Sequence, residues 1–114
     1  MKNLAEFLPL SPATLHILLS LAGEDLHGYG IMQEVSRQSE GGYKLGPGTL
    51  YDNLQKLIDR GLVREVGQRA GDERRRYYRL STLGLAVLSA ETDRLDGVVR
   101  EAKLRMQQRR PKEA

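Results

Sequence analysis

The chain has 114 residues, 39% hydrophobic and 29% charged, with no cysteine and a formal net charge of +3. That length fits one domain with a modest core, which a second copy would strengthen because small domains bury a smaller share of their surface. Disulfides and thiolate metal sites are excluded, and the longest apolar run, residues 15–22, is far too short to cross a bilayer, so a cytoplasmic protein is expected.

The positive charge is uneven. Residues 1–60 carry five Lys/Arg against seven Asp/Glu, residues 61–80 six against three, and residues 81–114 seven against five. A local basic patch attracts phosphates even when the total charge is small.

In chain order, Ser11-Pro12 opens a first helix, the serine capping free N–H groups and the proline suiting the first helical position. Leu15, Ile17, Leu18, Leu19 and Leu21 leave it apolar nearly all round, so it needs cover on more than one side. Gly23 is expected to close it in a left-handed conformation. Residues 23–28 read as a turn. A second helix follows over about 29–39, with Ile31, Met32 and Val35 inward and Gly41-Gly42 at its end. Pro47 opens a third helix whose Leu50, Leu54, Leu57 and Ile58 form one buried stripe, ended by Gly61.

Residues 62–68 and 75–80 are short strand candidates joined by a polar loop containing Gly71-Asp72. Ser81-Thr82 caps a last helix reaching about residue 109, followed by a polar, frayed tail over 110–114. In that helix Leu85, Leu88, Thr92, Leu95, Val99, Ala102 and Met106 follow a heptad spacing. It extends roughly 40 Å at 1.5 Å per residue, more than so small a domain covers. A dimer seam is therefore favoured over a helix lying on its own domain. Leu88, Leu95, Val99, Ala102 and Met106 are its expected contacts, with Leu15 and Leu18 of the first helix.

A short amphipathic helix followed by an arginine-rich hairpin is the layout of a winged helix-turn-helix. The expected fold is α+β, mostly α: a DNA-binding domain over 1–80, with its wing at about 63–80, and a long C-terminal dimerisation helix over 81–109. The second helix of such a motif lies in the major groove. Here its outward face carries Thr49, Asn53, Lys56 and Arg60. Threonine can meet a thymine methyl, asparagine can pair bidentately with adenine, and lysine can reach guanine or phosphate. Asp52 is expected to hold a neighbouring Lys or Arg rather than read a base. Arg74, Arg75 and Arg76 lie near the hairpin tip, within reach of the backbone or minor groove. Strand alternation assigns Tyr78 and Leu80 to the core and Tyr77 and Arg79 to the other side.

His16 and His27 have no third ligand at metal spacing, and no nucleophile–base pair is evident, so neither a metal or cofactor nor an enzyme is expected. The alternative to a DNA-binding regulator is a winged-helix protein–protein interaction module without specific DNA binding. The acidic balance of residues 1–60 supports it.

Three motifs in register carry a resemblance over roughly residues 8–88: Leu26-His27-Gly28-Tyr29-Gly30-Ile31; Gly48-Thr49-Leu50-Tyr51 with Leu54, Leu57 and Gly61-Leu62-Val63; and Arg76-Tyr77-Tyr78-Arg79-Leu80-Ser81 with Gly84. Together they resemble the PadR family of bacterial transcriptional regulators, in its short form with a single C-terminal helix. The resemblance implies a homodimer that binds palindromic operator DNA, usually as a repressor. It implies dimerisation through the last helix together with the first, and in some members release of DNA by phenolic acids or small hydrophobic drugs. It places Tyr29 near the DNA backbone, Thr49, Tyr51, Asn53 and Lys56 toward the major groove, and Arg74, Arg75 and Arg76 in the wing. Phe7 and His16 are the candidate effector-pocket residues. Two departures stand out: Asp52 occupies a position where many members have proline, and the chain lacks the tryptophan with which some drug-binding relatives stack flat ligands.

Overall fold

A computed structural model describes residues 3–67 and 76–109. A 3-10 turn, Leu4–Phe7, precedes α1 (Pro12–Leu21), β1 (Leu26–His27), α2 (Gly28–Gln38), α3 (Pro47–Asp59), β2 (Val63–Val66), β3 (Tyr77–Leu80) and α4 (Thr82–Gln108). The fold is mostly helical with one small antiparallel sheet, as the sequence indicated.

The helix ends follow from local chemistry. Ser11 Oγ accepts the Thr14 N–H at 3.2 Å, and Pro12 takes the first helical position. The α2 cap is an imidazole: His27 Nδ1 accepts the Gly30 N–H at 2.9 Å. At the end of α3, Gly61 adopts φ +80°. That lets the Leu62 N–H reach the Leu57 carbonyl at 2.9 Å and the Gly61 N–H reach Ile58 at 3.0 Å, a paired closure that only a left-handed residue makes easily. Gly23 does not play that part: α1 ends on Ala22 in a right-handed helical conformation, and positive φ among the described glycines occurs at Gly41 and Gly61.

Ser81 joins the end of α3 to the start of α4. Its Oγ accepts the Gly84 N–H at 2.9 Å and donates to the Gly61 carbonyl at 2.6 Å, while its own N–H reaches the Leu62 carbonyl at 3.0 Å. Gly84 then lies so close to Leu62 that a Cβ there would overlap the Leu62 carbonyl oxygen and fall 2.8 Å from Leu80 Cδ1.

β3 is the central strand, in the order β1-β3-β2, with Leu26 opposite Tyr78 and Val63 opposite Leu80. Residues 26 and 27, read from sequence as part of a turn, are thus a third strand, too short for any alternation to reveal. The expected split of β3 into two sides is present: Tyr78 lies in the core with Leu80 packed against it, and Arg79 is exposed on the other side. Tyr77, on that second side, is nevertheless buried, because the ring of His27 lies edge-on to it at 5.4 Å.

The core joins Ile17 and Leu18 of α1, Ile31 and Val35 of α2, Leu50, Leu54 and Leu57 of α3, and Val87 and Leu88 of α4. Buried apolar surface of this kind is the main stabilising contribution of such a domain. Leu18 and Leu88 were expected to contact a second chain. Both lie in this chain's own core, 0% and 6% exposed. Leu15 is half-buried.

Candidate nucleic-acid interface

The three leucines of α3 turn one side of that helix inward, and their burial presents the opposite side to solvent. Thr49, Tyr51, Asp52 and Lys56 are exposed there and Asn53 is half-buried. These positions share a face because residues three and four apart are neighbours on a helix.

The groups on this face are partly engaged with one another. Asn53 Nδ2 donates to the Thr49 carbonyl at 2.8 Å, which leaves the amide a second N–H and an acceptor oxygen for other bonds. Lys56 Nζ lies 3.3 Å from Asp52 Oδ2, so Asp52 does hold a neighbouring cation, with the acid one turn N-terminal to the base as the helix dipole favours. Tyr51 is half-exposed, with its hydroxyl end lying on the Cα of Gly28. It is both a surface residue and a contact between α3 and the first turn of α2. Tyr29, at the start of α2, is 63% exposed. A shallow depression of about 280 Å³ continues the α3 face toward α1, lined by Thr14, Asn53, Lys56, Leu57, Asp59 and Arg60.

In the hairpin, Arg76 is exposed and 3.8 Å from Glu65 on β2. Arg74 and Arg75, expected at the tip, lie outside the described residues. Arg79 is taken up structurally: its Nε and Nη2 donate to the two carboxylate oxygens of Asp25 at 3.1 and 2.8 Å. That forked pairing ties β3 to the segment before β1 and raises the Arg79 pKa further above its ordinary value. Burial pushes the Tyr78 phenol up, with the charges of Glu65 and Tyr51 adding to it and Arg76 opposing it.

The residues expected to line an effector pocket are engaged within this chain. Phe7 is buried in the core, with the Arg60 guanidinium 4.4 Å from its ring centroid. One face of the ring is therefore occupied. His16 stacks on Tyr43 at 5.0 Å, and Gln38 Nε2 lies 3.0 Å from its Nδ1.

The remaining dimer candidates divide along α4. Gly84, Val87, Leu88 and Glu91 are buried against the domain. Beyond Glu91, Leu95 is half-buried, whereas Val99, Ala102 and Met106 are exposed. At 100° per residue, Val98 joins these four on one side of the helix, and Leu104 faces away.

Sequence reasoning missed Glu91. It is 1% exposed, accepts the Leu10 N–H at 2.9 Å, and is clasped by Arg94 Nε at 2.6 Å and Nη2 at 3.0 Å. The Arg94 bonds, then the Leu10 N–H, hold its carboxyl below the ordinary carboxylate value against the opposing effect of burial. A glutamate inside the apolar stripe of α4 was the available sign.

Among the described residues no group of His, Cys, Asp or Glu is placed to hold a metal ion, and no helix is long and apolar enough to cross a membrane. A helix with an exposed polar face, backed by a second helix and flanked by a β-hairpin, defines a winged helix-turn-helix protein. Residues 17–90 match the transcriptional regulator PadR-like family. The transcriptional regulator Rv3488 of Mycobacterium tuberculosis is 37% identical over 87 residues, spanning 76% of this chain and 78% of that protein.

The chain therefore belongs to the PadR-like family of transcriptional regulators, and is a regulator rather than an enzyme. Its fold is similar to that of a PadR family transcription regulator from Clostridium difficile, with TM-score 0.72 and 19% identity over 84% of this chain and 99% of that one. It is also similar to Bacillus subtilis PadR, solved in complex with operator DNA, with TM-score 0.63 and 23% identity over 72% of this chain and 46% of that one.

Proposed function

We propose that this protein is a cytoplasmic homodimeric repressor that reads a near-palindromic operator with α3 and grips the flanking backbone with its wing. The observation that carries this reading is the α3 face itself. Its leucines are fully engaged in the core while Thr49, Asn53 and Lys56 stand on the open side. The operator complex of Bacillus subtilis PadR supports it. The side of α4 formed by Leu95, Val98, Val99, Ala102 and Met106 supports pairing with a second copy, since an apolar stripe on a helix projecting past its own domain calls for cover. Two α3 helices in such a dimer would stand about 34–36 Å apart, one helical turn of DNA. Release by a small hydrophobic or phenolic effector is part of the proposal. Its place would be the space between paired subunits, where Leu19 and Leu85 are exposed.

The test is a gel-shift titration on the intergenic DNA beside the protein's own gene, with excess random duplex as competitor and sedimentation of the free protein in parallel. A competitor-resistant complex with two chains per site is expected, weakening steeply with salt as phosphate contacts release counterions. A dimer whose complexes are all lost to competitor, on this and on genome-derived fragments, would favour the interaction-module reading instead.

A further inference from the structure

Reading two half-sites at once demands that α3, which would meet the DNA, be held at a set angle to α4, which would meet the partner. Besides the shared core, where α1 packs on both helices, two hydrogen-bonded fastenings bear on their relative placement. The first is at the start of α4, where Ser81 and Gly84 are fixed on Gly61 and Leu62. It sets where α4 begins, and the packing of Val87 and Leu88 in the core holds the turns that follow. The second lies at Glu91, ten residues and roughly 15 Å further along the helix, and it is made by the segment before α1.

That segment spans the gap between the two helices. At one end Phe7 is seated under Arg60, the residue that closes α3, at 4.4 Å. At the other end the Leu10 backbone N–H is bound by Glu91 at 2.9 Å. The turn between Leu4 and Phe7 packs on α4, and Leu4, Leu8 and Leu10 rest against the core. Glu91 is also the last buried residue of α4, so the helix is directed from this point outward. Arg94 adds two charge-assisted bonds to the same carboxylate, which offsets the cost of burying its charge.

We propose that residues 3–10 are a strap that sets the angle between α3 and α4, with Glu91 as its positioning residue, and thereby the half-site spacing the dimer accepts. The spacing clause rests on the function proposed above; the strap itself does not. A slip of about 1 Å at Glu91 over roughly 15 Å tilts α4 by about 4°. Carried across recognition helices 34–36 Å apart, that moves one against the other by roughly 2–3 Å. This is close to the 3.4 Å rise of one base pair along a strand.

The chain has no cysteine, which allows clean placement of two spin labels. Gln55→Cys on α3 and Arg100→Cys on α4, both exposed, report the α3–α4 distance within one chain when labelled protein is diluted with unlabelled. Wild-type background should give one narrow distance distribution. Glu91→Ala and Phe7→Ala should each broaden or shift it, and Glu91→Gln, the milder variant should the others fail to fold, should do so to a lesser degree.

In parallel, duplexes whose half-sites are separated by one base pair more or fewer should lose about tenfold in affinity for the unaltered protein. For Glu91→Ala that penalty should shrink to about two- or threefold. An unchanged distance distribution with spacing discrimination intact, even alongside a lower melting temperature, overturns the strap and leaves Glu91 a residue of stability only. A broadened distribution in a protein that retains no duplex at any spacing upholds the strap and removes the DNA reading instead.

Discussion

The hydroxyl end of Tyr51, on α3, lies directly on the Cα of Gly28, the first residue of α2. A Cβ at position 28 would overlap that hydroxyl and sit 2.8 Å from ring carbon Cζ. The tyrosine therefore sets the spacing between the two helices of the motif, and glycine is what lets it come so close.

Gly28→Ala should accordingly displace Tyr51 and destabilise the fold by about 1–3 kcal/mol, the range of overpacking. In a Tyr51→Ala background the same substitution should cost almost nothing, because the obstructing ring is gone. Urea unfolding of the four proteins in a double-mutant cycle measures the coupling. Equal losses in both backgrounds would show that the close approach has no energetic weight.

Two glycines of α4 should respond with opposite signs. At Gly84 an added methyl meets the Leu62 backbone carbonyl, which is itself fixed by the Ser81 N–H. The steric cost of about 1–3 kcal/mol outweighs the gain of up to roughly 1 kcal/mol in helix propensity, and Gly84→Ala should lower stability. At Gly97 a Cβ has open space around it, so propensity acts alone and Gly97→Ala should stabilise by about 0.5–1 kcal/mol. Chemical denaturation of the two variants tests the pair; a stabilised Gly84→Ala would contradict the packing described at Leu62.

The Glu91 carboxyl is held below its ordinary pKa of 4.5 in the folded chain. The contribution of this group is thus fully present above about pH 4.5 and lost as the pH falls through the lower, folded value. The stability of the unaltered chain should exceed that of Glu91→Gln at pH 7, with the gap narrowing as the pH falls below 4.5. Unfolding measured at half-unit pH steps provides the comparison. A constant gap down to pH 3 would exclude the carboxylate as its source.

Asp52 and Lys56 are both well exposed, so their ion pair adds only about 0.3–0.5 kcal/mol to the helix. Asp52→Ala should leave stability nearly unchanged. Under the proposed function it should raise affinity for random duplex several-fold by removing a negative charge from the face that meets phosphates. Asn53→Ala should instead lose about 1–3 kcal/mol on the operator and relax preference at one base pair. Arg76→Ala should weaken all duplexes alike and flatten the salt dependence. Competition binding on operator and random DNA at several salt concentrations separates the three patterns.

What local sequence encodes was legible without coordinates. The leucine stripe of α3, the caps at Ser11 and Ser81, the end of α3 at Gly61 and the length of α4 each depend on residues within a few positions of one another, and each is present in the fold. The Asp52–Lys56 pair, one helical turn apart, was readable for the same reason. So was the family, whose three motifs are short and stand in fixed order.

The tertiary structure alone decided how the remaining side chains are used. Tyr77 is buried because β1 brings His27 over it, and Arg79 is bound by Asp25, 54 positions earlier in the chain. Leu18 and Leu88 were drawn into the domain's own core while Val99 and Met106 remained outside. Glu91 became a clasp for Leu10, 81 positions away. Periodicity records which side of an element is apolar, but not which distant segment will cover it, and the closing of those long-range contacts set both the spacing of α2 to α3 and the direction of α4.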